Sequence, residues 1–252
     1  MAISAAQFSR IESFLPVQRG NVSLSNLDVV NAILYVAENG CKWRALPKRF
    51  GNRHTIYARM NRWAKAGVLD RLFEQLQHQR LVRVKIEAVS LDSTIVKVHP
   101  DGTGAPKKNG PQAIGKSRGG WTTKIRMVAA DARTALTFSL TPGQAGDAPA
   151  GRELLRTLSG LPRRCRLLMD RAYEGNETRQ LALDLDLIPV VQPQSTRLEP
   201  WTCNKAWYRR RNEIERLFRR LKGFRRIFSR FDKLDVMFMA FLCFALVVEA
   251  LR

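Results

Sequence analysis

Three acidic residues have the chemical type and the sequence context to hold divalent cations: Asp92, Asp170 and Glu215. Asp92 lies in an alternating stretch rich in β-branched residues, and Asp170 ends a short apolar run, so both are predicted on strands. Glu215 lies in a helical pattern. Carboxylates from two neighbouring strands and a following helix can hold two Mg²⁺ ions about 4 Å apart, a geometry that serves in-line phosphoryl transfer.

Each acid also has a plain structural explanation. Asp92 could be hydrogen-bonded within its strand, Asp170 could cap a turn, and Glu215 could pair with Arg211 one helical turn away. An Asp in the middle of a strand is nevertheless costly unless it caps, pairs or binds a metal. Hard oxygen ligands select Mg²⁺ or Mn²⁺, and the scattered cysteines and histidines argue against zinc. Together the three acids favour a metal site.

The helical pattern around Glu215 belongs to the most basic stretch of the chain, residues 205–230, in which eleven Lys or Arg accompany only Glu213 and Glu215. An apolar stripe at i, i+3, i+4 and i+7 spacing is formed by Ile214, Leu217, Phe218 and Leu221. One flank of the stripe carries Glu215 with Tyr208, Arg211 and Lys222. The other flank carries Glu213 with Arg209, Arg216 and Arg220. A ring hydroxyl and two cations suit a phosphate beside a metal-bound carboxylate, so the third metal ligand is predicted to be Glu215 and not Glu213.

The overall charge points to a polyanionic partner. The 252 residues contain 43 Lys and Arg against 22 Asp and Glu, and the net charge of +21 divides into +8 over residues 1–84, +5 over 85–200 and +8 over 201–252. Two basic ends fit a protein that holds nucleic acid with separate parts. An anionic membrane surface is the alternative partner, but the apolar run 236–248 is too short to span a bilayer and is predicted as a buried core helix.

Cysteine usage and the start of the chain bear on the compartment. The four cysteines are scattered and form no CxxC pair: Cys41, Cys165, Cys203 and Cys243. No signal peptide is recognised before them. A reduced cytoplasm is therefore expected, with no membrane partner.

Residues 1–84 are predicted to form an N-terminal helical domain. Helical segments start at Ser25 or Asn26, near Asn52 and at Val68, and the second of these carries a row of cations. Such an arrangement resembles a helix-turn-helix module with its recognition helix at 53–66, although any small helical bundle shares the outline. The predicted DNA contacts on that helix are Arg53, Arg59, Arg62 and Lys65.

Residues 85–252 are predicted to form an α/β domain. Its order is strand, strand, strand, helix, strand, helix, strand, helix, and a crossover connection can place the Asp170 strand beside the Asp92 strand. The segment 100–120 is predicted as a glycine-rich loop. Its cations Lys116 and Arg118 are candidate phosphate contacts, and a mobile linker is the alternative interpretation.

Several motifs of this chain resemble insertion-sequence transposases of the DDE class, in particular the IS-Five type of the IS-Four/IS-Five superfamily. The spacing Tyr208-x2-Arg211-x3-Glu215-x6-Lys222 is similar to the C-terminal signature of that family. SLDST around Asp92 and MDRAY around Asp170 resemble its two Asp motifs, and KSRGGWTTKI and WRALPKRFG extend the resemblance over nearly the whole chain. The chain departs from the family pattern in having Ala, where Gly is frequent, two positions after the second Asp.

The resemblance implies a ribonuclease H-like mixed sheet flanked by helices, with Asp92, Asp170 and Glu215 as the metal-binding triad. It further implies that Tyr208, Arg211 and Lys222 contact DNA near the cleaved phosphate. Similar enzymes bind terminal inverted repeats, cleave the element's ends and join them to target DNA as a homodimer or higher multimer, here expected in the bacterial cytoplasm at the nucleoid. Two alternatives remain open: a Mg²⁺-dependent nuclease or resolvase of the same fold, and a catalytically silent DNA-binding repressor.

Overall fold

The computed structural model describes residues 2–19, 22–81 and 86–252. Its α-helices are α1 (Ala5–Phe8), α2 (Asn26–Asn39), α3 (Arg53–Lys65), α4 (Val68–Leu81), α5 (Asp147–Arg156), α6 (Asn176–Asp184), α7 (Lys205–Arg209), α8 (Asn212–Gly223), α9 (Arg225–Phe228) and α10 (Asp235–Leu251). Its strands are β1 (Ala88–Val98), β2 (Gly115–Ser117), β3 (Gly120–Ala129), β4 (Ala135–Pro142), β5 (Arg166–Met169), β6 (Ile188–Val190) and β7 (Ser229–Arg230). Short 3-10 turns connect several of these elements.

The chain forms two compact units. The helical unit comprises residues 1–78, 98–112 and 220–252, and the sheet unit comprises residues 79–97 and 113–219. Helix α8 begins in the sheet unit and ends in the helical unit. The predicted boundary between an N-terminal domain 1–84 and a C-terminal domain 85–252 stays a prediction.

The sheet unit is built on a mixed β-sheet. Strand β3 pairs antiparallel with β1 on one side and with β2 and β4 on the other, and β1, β5 and β6 continue the sheet in parallel. Three antiparallel strands from successive chain segments, followed by parallel strands reached through helical crossovers, give the ribonuclease H-like arrangement that was expected. The predicted α/β fold class is confirmed.

Helices cover both faces of this sheet. Successive side chains of a strand point to opposite sides, so β1 and β5 present apolar residues to the helices on each face. One face buries Val89, Leu91, Leu167 and Met169 in a core with Leu154 and Leu155 of α5 and Ala182 of α6. The other face buries Ala88, Leu168 and Val190, against which Trp207 and Tyr208 of α7 pack. At these positions β1 and β5 are apolar on both faces, as expected for parallel strands covered on two sides.

The helical unit is centred on α10. This helix is buried along nearly its whole length and contacts α2, α3 and α9. Local signals set the bounds of α2: the Ser25 side chain caps its start, and Gly40 ends it with a left-handed φ of 65°. The predicted core helix at 236–248 is confirmed, and none of the described helices has the length and apolar character that a membrane span requires.

The structure corrects two expectations drawn from the sequence. The segment 205–230 is not one helix, because the chain turns at Arg210 and Arg211 between α7 and α8. The two helices are held by different contacts. Trp207 of α7 packs on the sheet, whereas α8 buries its own apolar stripe of Ile214, Leu217, Phe218 and Leu221. The predicted loop 100–120 also contains β2, which forms a hairpin with β3.

Candidate active site

The pairing of β1 with β5 brings Asp92 and Asp170 side by side. The two strands run parallel, and the pairing between them ends at Leu91 and Met169. One further step in the same register would place Asp92 beside Asp170, which directly follows β5, and the charge of Asp170 acts on the Asp92 carboxylate. Neighbouring strands lie about 4.8 Å apart, so residues 78 positions apart in the chain become neighbours at the carboxyl ends of parallel strands.

The pleat decides which face of the sheet the two carboxylates share. Asp92 has the parity of Ala88, and Asp170 has the parity of Leu168, and both of these apolar residues lie under α7. The carboxylates therefore belong to the face that α7 covers. The turn after α7 and the first turn of α8 bring Arg211 and Glu215 to the same place.

Arg211 joins two of the three predicted carboxylates. Its Nη1 lies 2.6 Å from Asp92 Oδ2, and its Nη2 lies 2.5 Å from Glu215 Oε1. The planar guanidinium of arginine presents several N–H donors in a fixed fork, which lets one side chain serve two carboxylates. Glu213, by contrast, pairs with Arg216 at 2.9 Å on the opposite flank of α8. The predicted separation of the two acids onto different flanks is confirmed.

Burial dominates the electrostatics of Asp92. It raises the pKa of Asp92 to about 6, against the opposing effects of a hydrogen bond from the Ser93 N–H and of the nearby Arg211 charge, and the carboxylates of Asp170 and Glu215 raise it further. Burial by itself would lower the pKa of Arg211, but the surrounding carboxylates outweigh burial and raise it. Asp92 thus lies in a poorly solvated place beside two further acids, which favours a bound cation.

Asp170 also caps the turn that follows it. Its Oδ1 accepts a hydrogen bond of 2.6 Å from the Arg171 N–H at the start of the 3-10 turn Arg171–Tyr173. Ala172 lies inside this turn and does not have a positive φ. The turn therefore does not need glycine at residue 172, where the chain departs from the family pattern.

A buried polar network lies on the other face of the sheet, behind Asp92. Ser93 Oγ donates to Asp147 Oδ1 at 2.9 Å, and the same oxygen is 2.9 Å from Lys124 Nζ and 3.4 Å from Arg126 Nη2. Arg126 is fully buried and also donates to Thr141 Oγ1 and to the carbonyls of Ala145 and Gly146. These contacts fix the start of α5 against β1 and β3.

Tyr173 closes this network from the Asp170 side. Its ring is buried against Gly151 of α5, where an added Cβ would lie 2.5 Å from Tyr173 Cε1. Burial is the main cause that raises the pKa of its hydroxyl group, and the nearby Asp147 carboxylate raises this pKa further. Sequence reasoning missed this cluster, although two cations spaced i, i+2 in the strand TTKIRM signal that a buried acid must face them.

The remaining predicted contacts are distributed over both units. In the sheet unit, Tyr208 is half-buried with the Arg211 guanidinium 5.9 Å from its ring, and Lys116 and Arg118 are exposed on the β2–β3 hairpin, with Lys116 over Trp121. Lys222, at the end of α8, is half-buried, and burial lowers its pKa. On α3, Arg53, Arg62 and Lys65 are exposed, whereas Arg59 is half-buried and donates to Leu24 O at 3.1 Å.

The donor chemistry of the site fits a hard divalent cation. Asp92, Asp170 and Glu215 offer carboxylate oxygens on one face, and a positively charged guanidinium already bridges two of them. As placed in residues 2–19, 22–81 and 86–252, no three His, Cys, Asp or Glu side chains are close enough together to hold a metal ion.

Comparison with known proteins gives consistent matches over most of the chain. Residues 3–73 match the family described as "Putative transposase of IS4/5 family", and residues 84–248 match the family described as "Transposase DDE domain". The "Putative transposase for insertion sequence element IS6501" of Brucella ovis is 32% identical over 132 residues, which are 52% of this chain and 99% of that protein. The uncharacterized protein y4sN of Sinorhizobium fredii is 33% identical over 108 residues, covering 41% of this chain and 82% of that protein.

A solved structure is also similar in part. The cryo-EM structure of a piggyBac transposase synaptic complex with hairpin DNA has a TM-score of 0.41 and 11% sequence identity to this chain. The match covers 76% of this chain and 47% of the other, so the chain spans about half the length of that transposase.

Proposed function

Because the chain belongs to the family of transposases with a DDE domain, we propose that it binds the terminal inverted repeats of an insertion sequence and catalyses metal-dependent DNA cleavage and strand transfer. The observation that carries the proposal is the meeting of Asp92, Asp170, Arg211 and Glu215 on one face of the sheet unit. Three carboxylates in a charged, poorly solvated site on a chain of net charge +21 suit the handling of phosphodiesters.

Asp92, Asp170 and Glu215 would hold the metal, two Mg²⁺ or Mn²⁺ ions per site. When bound, the ions supply Lewis-acid chemistry for phosphoryl transfer. Asp92 is fixed for this role by the Ser93 N–H at 2.7 Å from its Oδ1, and Asp170 is fixed by the Arg171 N–H. These backbone donors leave each carboxylate a second oxygen.

Arg211 has two successive partners in this proposal. In the structure it neutralises Asp92 and Glu215, and with metal and DNA bound its guanidinium would instead donate two parallel hydrogen bonds to two oxygens of a phosphate group. Tyr208 and Lys222 supply a hydroxyl donor and a further cation for the same strand. The exchange keeps the buried charges compensated in both states, because uncompensated charge in a poorly solvated site is costly.

Recognition of the element's ends is assigned to residues 1–84, and catalysis to residues 85–252. Arg53, Arg59, Arg62 and Lys65 lie on α3, the helix proposed to read the DNA groove. Lys116 and Arg118 on the β2–β3 hairpin would contact phosphates. A homodimer or higher multimer would hold two ends of the element together, on double-stranded DNA of the bacterial nucleoid in the cytoplasm.

The test is a reconstituted reaction with a duplex carrying the inverted repeats that flank the gene. We expect Mg²⁺ or Mn²⁺ to support cleavage, EDTA to stop it, and precleaved ends with a free 3′-hydroxyl to join a target plasmid. An Asp92→Asn variant is expected to bind the duplex without cleaving it. Cleavage without joining would instead indicate a nuclease or resolvase, and binding without cleavage by the unaltered protein would indicate a repressor. Undiminished cleavage in EDTA would contradict the metal assignment.

A further inference from the structure

Two arginines of the sheet unit lie over the same tryptophan ring. The Arg166 Cζ is 4.0 Å from the centre of the Trp207 ring, and the Arg210 Cζ is 4.6 Å from it. Arg166 is the first residue of β5, Trp207 belongs to α7, and Arg210 directly follows α7. These three residues, here called the Trp207 cluster, therefore join the start of a parallel strand to the helix that covers it.

The positive charge of the Trp207 cluster is only partly compensated. Arg210 has one acidic partner, Glu87, at 3.5 Å, and both of these side chains are about half exposed. Arg166 is half-buried and forms no ion pair with a carboxylate of the described residues. Two guanidinium groups beside one ring repel each other, and a half-buried charge is poorly solvated. An added anion would therefore stabilise the Trp207 cluster.

The contact with the ring leaves hydrogen-bond donors of both arginines available. A guanidinium over an aromatic ring is attracted by the face of the ring, so its N–H groups are not used in the contact. Among the described residues, the Arg166 side chain has no hydrogen-bond partner, and the Arg210 side chain donates only to Glu87, at 3.5 Å. Planar donors held in this way suit the oxygens of a phosphate group.

The Trp207 cluster lies on the same face of the sheet as the proposed metal ligands. Arg166 has the parity of Leu168 and Asp170, and Trp207 packs on Leu168. Asp170 lies four positions after Arg166, which corresponds to about 13 Å along the strand. Successive phosphates of one DNA strand advance about 3.4 Å along the duplex axis, so about 13 Å corresponds to about four nucleotides.

We propose that the Trp207 cluster binds a backbone phosphate of the DNA about four nucleotides from the end of the element, where cleavage occurs. Arg166 and Arg210 donate hydrogen bonds to its oxygens, and the Trp207 ring holds both guanidinium groups in place. This inference rests on the proposed function, because cleavage places the DNA end at Asp92 and Asp170. A second fixed phosphate would set the direction in which the DNA strand runs from these acids along α7.

DNA that lacks a single charge tests the proposal. Duplexes carrying the inverted repeats are made with one neutral methylphosphonate in place of one backbone phosphate, at successive positions from the element's end. Affinities of the full-length protein are measured by fluorescence anisotropy in EDTA, which prevents cleavage. We expect one position, about three to five nucleotides from the end, at which the substitution lowers affinity about tenfold, because hydrogen bonds to a charged group are lost. No sensitive position in that range would overturn the proposal.

Arg166→Gln shows whether the sensitive phosphate is the one that the Trp207 cluster holds. This variant should bind the unmodified duplex about tenfold more weakly. The methylphosphonate at the sensitive position should then lower its affinity no further, because the contact is already absent. A full further loss would show that another residue holds this phosphate and would contradict the assignment. If Arg166→Gln does not fold, the exposed Arg210 replaces it in the same comparison as Arg210→Gln.

A second tryptophan of the sheet unit provides the matched control. The Arg179 Cζ is 3.6 Å from the centre of the Trp201 ring, and Arg179 forms no ion pair with a carboxylate of the described residues. Trp201, however, packs on the other face of the sheet. Arg179→Gln should therefore leave both the affinity and the sensitive position unchanged. Equal weakening by Arg179→Gln and Arg166→Gln would indicate a general effect of positive charge and would overturn the proposal.

Two further outcomes separate this inference from others. A protein that cleaves its DNA ends but has no sensitive phosphate in the expected range retains the proposed function and loses only the Trp207 contact. A protein that shows the expected coupling to Arg166 but does not cleave retains the contact and loses the catalytic proposal. A changed oligomeric state of Arg166→Gln at unchanged DNA affinity would assign the Trp207 cluster to a contact between proteins and overturn the inference.

Discussion

Arg211 and Asp92, 119 positions apart in the sequence, form an ion pair of 2.6 Å. The same guanidinium holds Glu215 at 2.5 Å, so the turn between α7 and α8 is tied to the central strand of the sheet unit by charge. Any cation that binds between these carboxylates must compete with Arg211. Glu215 contacts Arg211 and Glu213 does not, so we expect mutation of the two acids of α8 to affect metal binding differently.

We predict that Glu215→Gln lowers metal-dependent DNA cleavage by several orders of magnitude, since a proposed Mg²⁺ site loses a charged ligand. Glu213→Gln is the matched control on the same helix turn, where the acid pairs with Arg216 at 2.9 Å. That variant should keep most of the activity. Cleavage rates of the two purified variants at saturating Mg²⁺ decide between them, and equal loss would show that Glu215 has no special role.

Asp147→Ala should destabilise the protein by about 3 kcal/mol, because Arg126 and Lys124 then remain buried without their carboxylate. Glu177→Ala provides the comparison, since its ion pair with Arg152 at 2.7 Å involves an exposed carboxylate and should contribute less than about 1 kcal/mol. Urea unfolding followed by circular dichroism measures both. A cost for Asp147→Ala no larger than that for Glu177→Ala would mean that other groups compensate the buried cations.

Gly151→Ala should destabilise the fold by about 1–3 kcal/mol through overpacking. The added methyl group would lie 2.5 Å from Tyr173 Cε1 and 3.3 Å from Leu91 Cδ2. Because Tyr173 closes the turn that starts at Asp170, we also expect reduced cleavage. Gly175→Ala, where an added Cβ has no neighbour within 4 Å, should change stability far less. Thermal unfolding and cleavage assays on both variants check this, and an unchanged melting temperature for Gly151→Ala would show that Tyr173 can move aside.

On α3, Arg62→Ala should weaken binding to the inverted repeats and leave stability unchanged, because the side chain is exposed. If Arg62 contacts a phosphate, the slope of the logarithm of the binding constant against the logarithm of the salt concentration should become shallower by about one unit. Arg59→Ala should instead lower stability as well, since the Arg59 Nη1 donates to Leu24 O. Binding isotherms at several salt concentrations, with unfolding curves, separate the two effects. Selective binding of the inverted repeats by a fragment 85–252 would contradict the placement of recognition in residues 1–84.

Local signals in the sequence were sufficient to predict most elements. The Ser25 cap, the Gly40 stop and the alternation around Asp92 each depend on a few adjacent residues, and the corresponding helix and strand are present. The position of the Asp170 strand beside the Asp92 strand could also be predicted, because a crossover connection restricts where the later strand can pair. The catalytic roles of these acids stay a prediction.

The features that the sequence did not reveal depend on distant partners. The break between α7 and α8 falls within the run Arg209–Arg211, which contains no glycine or proline to mark it. It arises because Trp207 packs on the sheet and Arg211 reaches Asp92. The contact of Asp147 with Lys124 likewise requires knowing how α5 begins against β3. Contacts of this kind become visible only once strand register and helix placement are fixed.

The register that places Asp92 beside Asp170 has a consequence for synthesis of the protein. The two acids are 78 positions apart, and Glu215 follows Asp170 only after two further helices and a strand, so no short segment contains even two of the three. Closing loops of this length costs entropy before the contact between the strands stabilises them. A chain still emerging from the ribosome therefore lacks an assembled triad until residue 215 has been made and folded. Truncated products that end before α8 would lack the third acid.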